Sequence, residues 1–147
     1  MGFSFGGVAS MLVATRAQNG KFLKEGHFKA MMPVYPVASA YNKVPGFEFG
    51  DLVDAPVMLV TGALDQYDDD AEAAPKLVAS LDAKDAAKIT VKVMAGAHHC
   101  FDMPGADVVV KDPVSHQGKG GEVTMKWNEA AMLKAHEIAV KFFGKHL

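Results

Sequence analysis

A single cysteine, Cys100, leaves the chain without an internal disulfide and without any Cys-x-x-Cys metal or redox motif. No covalent staple holds it. Neither sign of charge is in excess: 15 Lys and Arg stand against 17 Asp and Glu, for a net charge of −2. Nucleic acid and anionic membrane surfaces are therefore not expected partners. Apolar runs such as Ala30 to Pro36 and Val57 to Val60 are far shorter than the roughly 18 residues of a membrane-spanning helix. Internal repeats and low-complexity tracts are missing too. The remainder is globular in composition, 50% hydrophobic and 22% charged over 147 residues, enough for one domain that buries roughly two thirds of its unfolded surface.

Periodicity and turn chemistry divide the chain into alternating elements. Residues 4–17 predict a helix stopped by Asn19-Gly20, and the continuous apolar run Phe28 to Tyr35 predicts a strand covered on both faces. A strand follows at Val57 to Thr61, ended by Gly62. Ala73 to Leu81 then predicts a helix, and Ile89 to Met94 a third strand nearer a sheet edge. Residues 103–127, rich in Gly, Pro and Asp, predict a long loop, and Asn128 caps a terminal helix with Met132, Leu133, His136, Ala139, Val140 and Phe143 on one face. Such alternation is the pattern of an α/β fold, a parallel sheet with helices on both faces.

Three placements carry chemistry. Gly2-Phe3-Ser4-Phe5-Gly6-Gly7 is a G-x-S-x-G sequence, which sets a serine on a sharp strand-to-helix turn with its hydroxyl exposed. Alone it is weak, arising by chance in on the order of one chain in twenty of this length. Asp65 stands in a loop just past a predicted strand, where functional groups gather in open α/β sheets. The neighbouring Asp68, Asp69 and Asp70 read as solvated turn or cap residues. The pair His98-His99 follows the next strand, and one of the two is a candidate general base, since imidazole takes and returns a proton near neutrality. His27, His116, His136 and His146 read as structural or exposed, and no His, Cys, Asp and Glu spacing forms a recognisable metal site.

Serine, then aspartate, then histidine is the chain order of nucleophile, acid and base in α/β-hydrolases. With Gly2 to Gly7, Val34-Tyr35-Pro36, Pro56 to Asp65, Gly96 to Asp102 and Phe142 to Leu147, the chain resembles the C-terminal half of a dienelactone hydrolase-family protein. The resemblance implies Ser4 as nucleophile and Asp65 as orienting acid. It implies His99 as base, because Phe101 follows it after one residue as in the family. Phe5 N–H would be one oxyanion donor. The implied activity is hydrolysis of a small-molecule carboxylic ester or lactone through an acyl-enzyme, without a cofactor. The family's founding enzyme carries cysteine where this chain has Ser4, so the dienelactone substrate does not transfer. A serine peptidase or thioesterase on the same fold uses the same three residues, and a noncatalytic binding module or fragment is the alternative from another class.

Only Met1 precedes the elbow. The sequence therefore predicts that residues 1–147 form a partial domain whose upstream half supplies the elbow strand and a second oxyanion donor. It predicts weak activity for these residues alone, and an exposed apolar edge on the strand ending at Tyr35-Pro36.

Overall fold

The computed structural model describes residues 1–147. Strands β1 (Gly2–Phe3), β2 (Pro33–Val34), β3 (Val57–Gly62) and β4 (Ile89–Met94) form one parallel sheet in the order β1-β2-β3-β4. The β-branched runs of β3 and β4 supply its longest ladder, from Val57↔Ile89 to Gly62↔Met94. Helices cover both faces. On one face, α1 (Phe5–Leu12) and α3 (Ala73–Ala79) enclose a core of Met11, Tyr41, Leu52, Leu59 and Leu77. On the other, the terminal helix α6 (Glu129–His146) closes a core of Val34, Val60, Phe101, Ala135 and Phe142. Leu59 and Val60, neighbours on opposite faces of β3, are both fully buried, each burial contributing about 1.5–3 kcal/mol. No helix is long and apolar enough to cross a membrane.

Several elements differ from the sequence expectation. The helix predicted over 4–17 is broken. Thr15 is extended, donates to Leu12 O at 2.8 Å and accepts Gln18 N–H at 3.3 Å, so it ends one helix and caps the next, α2 (Arg16–Phe22). Asn19-Gly20 therefore lies inside α2, with Asn19 buried and bonded to Val13 O. The strand predicted from Phe28 pairs only from Met31, and Phe28 is exposed and outside the sheet. That strand is also not an open edge, since β1 and β3 flank it; β1 and β4 are the outer strands.

The terminal helix begins as expected, with Asn128 Oδ1 accepting Ala131 N–H. Its buried face is different: Ala131, Ala135 and Phe142 face the core, while Leu133, His136 and Val140 are exposed. A short helix, α4 (Ala83–Ala86), precedes β4, capped by Asp82.

The largest correction concerns residues 103–127. They form an antiparallel hairpin of β5 (Asp107–Asp112) and β6 (Gly121–Lys126), in register from Asp107↔Lys126 to Asp112↔Gly121. Val108-Val109-Val110 was the signal for it, a β-branched run flanked by turn residues. Its tip, α5 (Ser115–Gly118), is a turn with His116 and Gln117 at φ 52° and 57°.

Candidate active site

Four strand ends meet along one edge of the sheet, and the backbone there is unusual. Ser4 follows β1 at φ 50°, ψ −118°, Tyr35 follows β2 at φ 38°, and Cys100, beside His99, has φ 60°. Positive φ costs a non-glycine residue about 1–3 kcal/mol and persists only where surrounding structure enforces it. Around Ser4 the backbone is held by Ser4 N–H to Val34 O at 3.0 Å and Val8 N–H to Ser4 O at 2.9 Å, and the glycines beside it allow the approach. A Cβ on Gly2 would lie 2.0 Å from Gly6 O, and one on Gly7 would lie 2.7 Å from Val34 O. Gly2 and Gly7 thus permit the tight strand–turn–helix path, whereas a Cβ on Gly6 meets nothing within 4 Å. Of the three glycines, Gly6 is sterically free.

The same device joins the next two strand ends. A Cβ on Gly62 would lie 2.4 Å from Ala97 O. Its absence lets the loop after β3 pack on the loop after β4, where Leu64 N–H donates to Ala97 O at 2.9 Å. Those loops carry Asp65 and His99, and the structure brings both together with Ser4. His99 Nδ1–H donates to Asp65 Oδ2 at 2.8 Å, and Ser4 Oγ–H donates to His99 Nε2 at 2.8 Å. An ionised carboxylate only accepts, so Asp65 places the imidazole proton on Nδ1 and leaves the Nε2 lone pair for the serine. The second carboxylate oxygen, Oδ1, accepts Tyr67 N–H at 3.0 Å. Asp65 and His99 are buried at 3% and 1% exposure, which limits competition from water for these bonds.

His98 makes no comparable contact. Its Nδ1 is buried without a hydrogen-bond partner, so the geometry separates the two histidines. Burial and the nearby Asp102 and Asp65 charges push the Cys100 thiol up, which keeps it protonated and poorly nucleophilic. Phe5 opens α1, and its N–H lies in the first turn, where no helical acceptor exists. A cleft of about 330 Å³ beside the loop after β3 is lined by Asp65, Gln66, Asp69, His98 and Thr124 among others, but by neither Ser4 nor His99. It is not where the hydroxyl lies.

The hairpin, read from sequence as loop, grips both loops of this site. Lys126 N–H donates to His99 O at 3.1 Å, and just past the hairpin the cap of α6, Asn128, donates N–H to Phe101 O at 2.9 Å. On the acid side, His116 N–H donates to Gln66 O at 2.8 Å, Gln117 N–H to Tyr67 O at 3.0 Å, and Thr124 N–H to Gln66 Oε1 at 2.7 Å. The left-handed backbone of His116 and Gln117 aims these donors at the acid loop. His116 also bonds through Nδ1 to Asp69 at 2.8 Å and through Nε2–H to Glu122 O at 2.9 Å. That Glu122 carbonyl, with the Asp69 carboxylate, holds the His116 pKa above its usual value.

Asp68 is likewise not the solvated residue expected. It is buried at 4% exposure, and its carboxylate accepts Ala38 N–H and Ser39 N–H at 3.1 and 2.8 Å. It thereby ties the segment after β2 to the acid loop. Burial raises its pKa, opposed by those N–H bonds. Asp69 and Asp70 are surface groups paired with His116 and Lys76.

In comparison with known proteins, the chain matches no family model and no curated protein.

Proposed function

We propose that this chain carries the catalytic triad of a serine carboxylic-ester hydrolase, with Ser4 as nucleophile, His99 as base and Asp65 as orienting acid. The observation that carries the reading is the hydrogen-bonded sequence Asp65–His99–Ser4, 2.8 Å at each step, ending on a serine with strained backbone at the head of a helix. A structural serine needs neither a buried imidazole partner nor a strained φ. The sequence resemblance to the dienelactone hydrolase family supports the same class.

In this reading Ser4 Oγ attacks the ester carbonyl carbon while its proton passes to His99 Nε2. The oxyanion accepts Phe5 N–H, and Asp65 stabilises the imidazolium. Collapse of the tetrahedral intermediate breaks the bond to the alkoxide, which takes the proton from His99. Water, deprotonated by His99, then attacks the acyl carbon, and His99 returns that proton to Ser4 Oγ as the acid leaves. Phe3 and Phe5, the sequence neighbours of Ser4, are 38% and 82% exposed, apolar surface that favours small esters with an apolar portion.

The test is p-nitrophenyl acetate hydrolysis by the natural full-length chain and its Ser4→Ala variant, with covalent labelling by a fluorophosphonate. Loss of both turnover and label in the variant is expected. Turnover that survives Ser4→Ala refutes the reading.

A further inference from the structure

Two tyrosine rings lie against the imidazole of His99. The centroids of Tyr35 and Tyr67 each lie 4.5 Å from that of His99, at interplanar angles of 58° and 51°. Both tyrosines are buried, and both phenols end on a carboxylate. Tyr35 O–H donates to Asp102 Oδ1, and Tyr67 O–H donates to Asp112 Oδ2 at 2.7 Å. The four residues come from four places: the end of β2, the acid loop, the turn after His99, and the last residue of β5.

Packing alone needs the rings but not the carboxylates. A phenol that donates to an anion is held in one orientation and becomes more electron-rich, so its ring face attracts a cation more strongly. His99 becomes a cation when it accepts the Ser4 proton. At 4.5 Å both rings are inside the roughly 6 Å reach of a cation–π contact, in a setting nearly free of competing water.

We infer that Tyr35 and Tyr67, each backed by a carboxylate, are positioning residues that hold the His99 ring in line between Asp65 and Ser4 and favour its charged form during acyl transfer. The inference rests on the ester-hydrolase reading for its kinetic consequence. Tyr67 serves twice, because its backbone N–H also holds Asp65 Oδ1 at 3.0 Å. The groups facing His99 are Asp65, Ser4, Tyr35 and Tyr67, with the neighbouring Cys100 thiol protonated and the Asp102 and Asp112 charges behind the two phenols. The Asp112 carboxyl lies below its usual range, chiefly through the Tyr67 phenol and then Val114 N–H, with a smaller contribution from a charge on His99.

The test removes charge before it removes shape. Asp112→Asn keeps polar contact with Tyr67 and Val114 but loses the anion, and Tyr67→Phe keeps the ring but loses the tie. In the natural full-length chain, each is expected to lower kcat for p-nitrophenyl acetate with KM unchanged, and to move the acid limb of the kcat/KM profile to lower pH. Tyr67→Leu and Tyr35→Leu, which delete a ring, are expected to lower kcat by about 2- to 30-fold. A merely structural tyrosine would leave Asp112→Asn on the parent's pH profile.

A second readout needs no turnover. The low-field proton NMR signal of His99 Nδ1–H is expected in the parent and broadened by faster exchange in the two leucine variants. A signal missing from the parent, or unchanged in both leucine variants, overturns the inference, as does an unshifted acid limb in both Asp112→Asn and Tyr67→Phe. If the parent hydrolyses no ester but its signal responds to the variants, the hydrolase reading fails and the clamp stands.

Discussion

If the proposed triad is correct, Gly62→Ala tests how closely the loops carrying Asp65 and His99 must approach. The added Cβ would sit 2.4 Å from Ala97 O, 3.0 Å from Ala97 C and 3.2 Å from His98 O. All three are backbone atoms, and Ala97 O is already held by Leu64 N–H at 2.9 Å, so no flexible side chain can yield. Restoring the 3.0 Å below which real Cβ contacts essentially never fall means opening the loops by at least about 0.6 Å. Asp65 lies just past Gly62 and His99 just past Ala97, so this opening stretches the 2.8 Å bond between them.

A misplacement of about 1 Å costs roughly 10²-fold in turnover, and the expected loss of kcat is therefore about 10- to 100-fold. Overpacking of this kind destabilises by about 1–3 kcal/mol, which lowers Tm by about 2–12 °C in a chain of this size. Gly6→Ala is the matched control. Its Cβ meets nothing within 4 Å and it lies in α1, so stability should rise by up to about 1 kcal/mol. The assays are p-nitrophenyl acetate kinetics on the natural full-length chain and thermal unfolding followed by circular dichroism. A folded Gly62→Ala protein with the parent's kcat would refute the steric argument.

Other outcomes follow from the same geometry. Asp65→Asn replaces an acceptor-only group beside His99 Nδ1 and favours the wrong tautomer; kcat should fall by about 10⁴-fold, and a loss below tenfold would contradict the assigned proton positions. Cys100, whose thiol is pushed up by burial and nearby acids, should react with iodoacetamide at pH 8 more slowly than a cysteine peptide, a result that equal rates would overturn. The His116 pKa is raised in the folded chain by the Glu122 carbonyl and Asp69, so its contribution is fully present below the unfolded histidine value, about 6.5, and is lost as pH rises through the folded one. Amide exchange at His116 and Gln117, corrected for intrinsic rates, should then show less protection at pH 8 than at pH 6; unchanged protection would place the hold of the hairpin tip elsewhere.

What could be read from sequence alone was local in origin. The β-branched runs of β3 and β4 appear where the pattern places them, and the glycines around Ser4 announce a tight turn that only small residues permit. The chain order of Ser4, Asp65 and His99 was legible because each stands just past a strand, and parallel strands put those ends on one edge. Tertiary structure decided the rest. Residue types and strand ends left His98 and His99 open and only the family resemblance favoured His99, whereas the contacts that His99 makes with Asp65 and Ser4 span 34 and 95 positions. Asp68 read as solvated because nothing nearby in sequence foretells two N–H donors about 30 positions away.

Hairpin 107–126 was read as a loop from its Gly, Pro and Asp content although it holds three consecutive valines, and what it grips is invisible locally. The tyrosines beside His99 reach carboxylates 67 and 45 positions away. Local pattern specifies strands and turns, including the sharp turn at Ser4. Which side chains lie against the imidazole depends on how those elements pack, because the closure of loops that long is favoured by the whole core and not by any single contact.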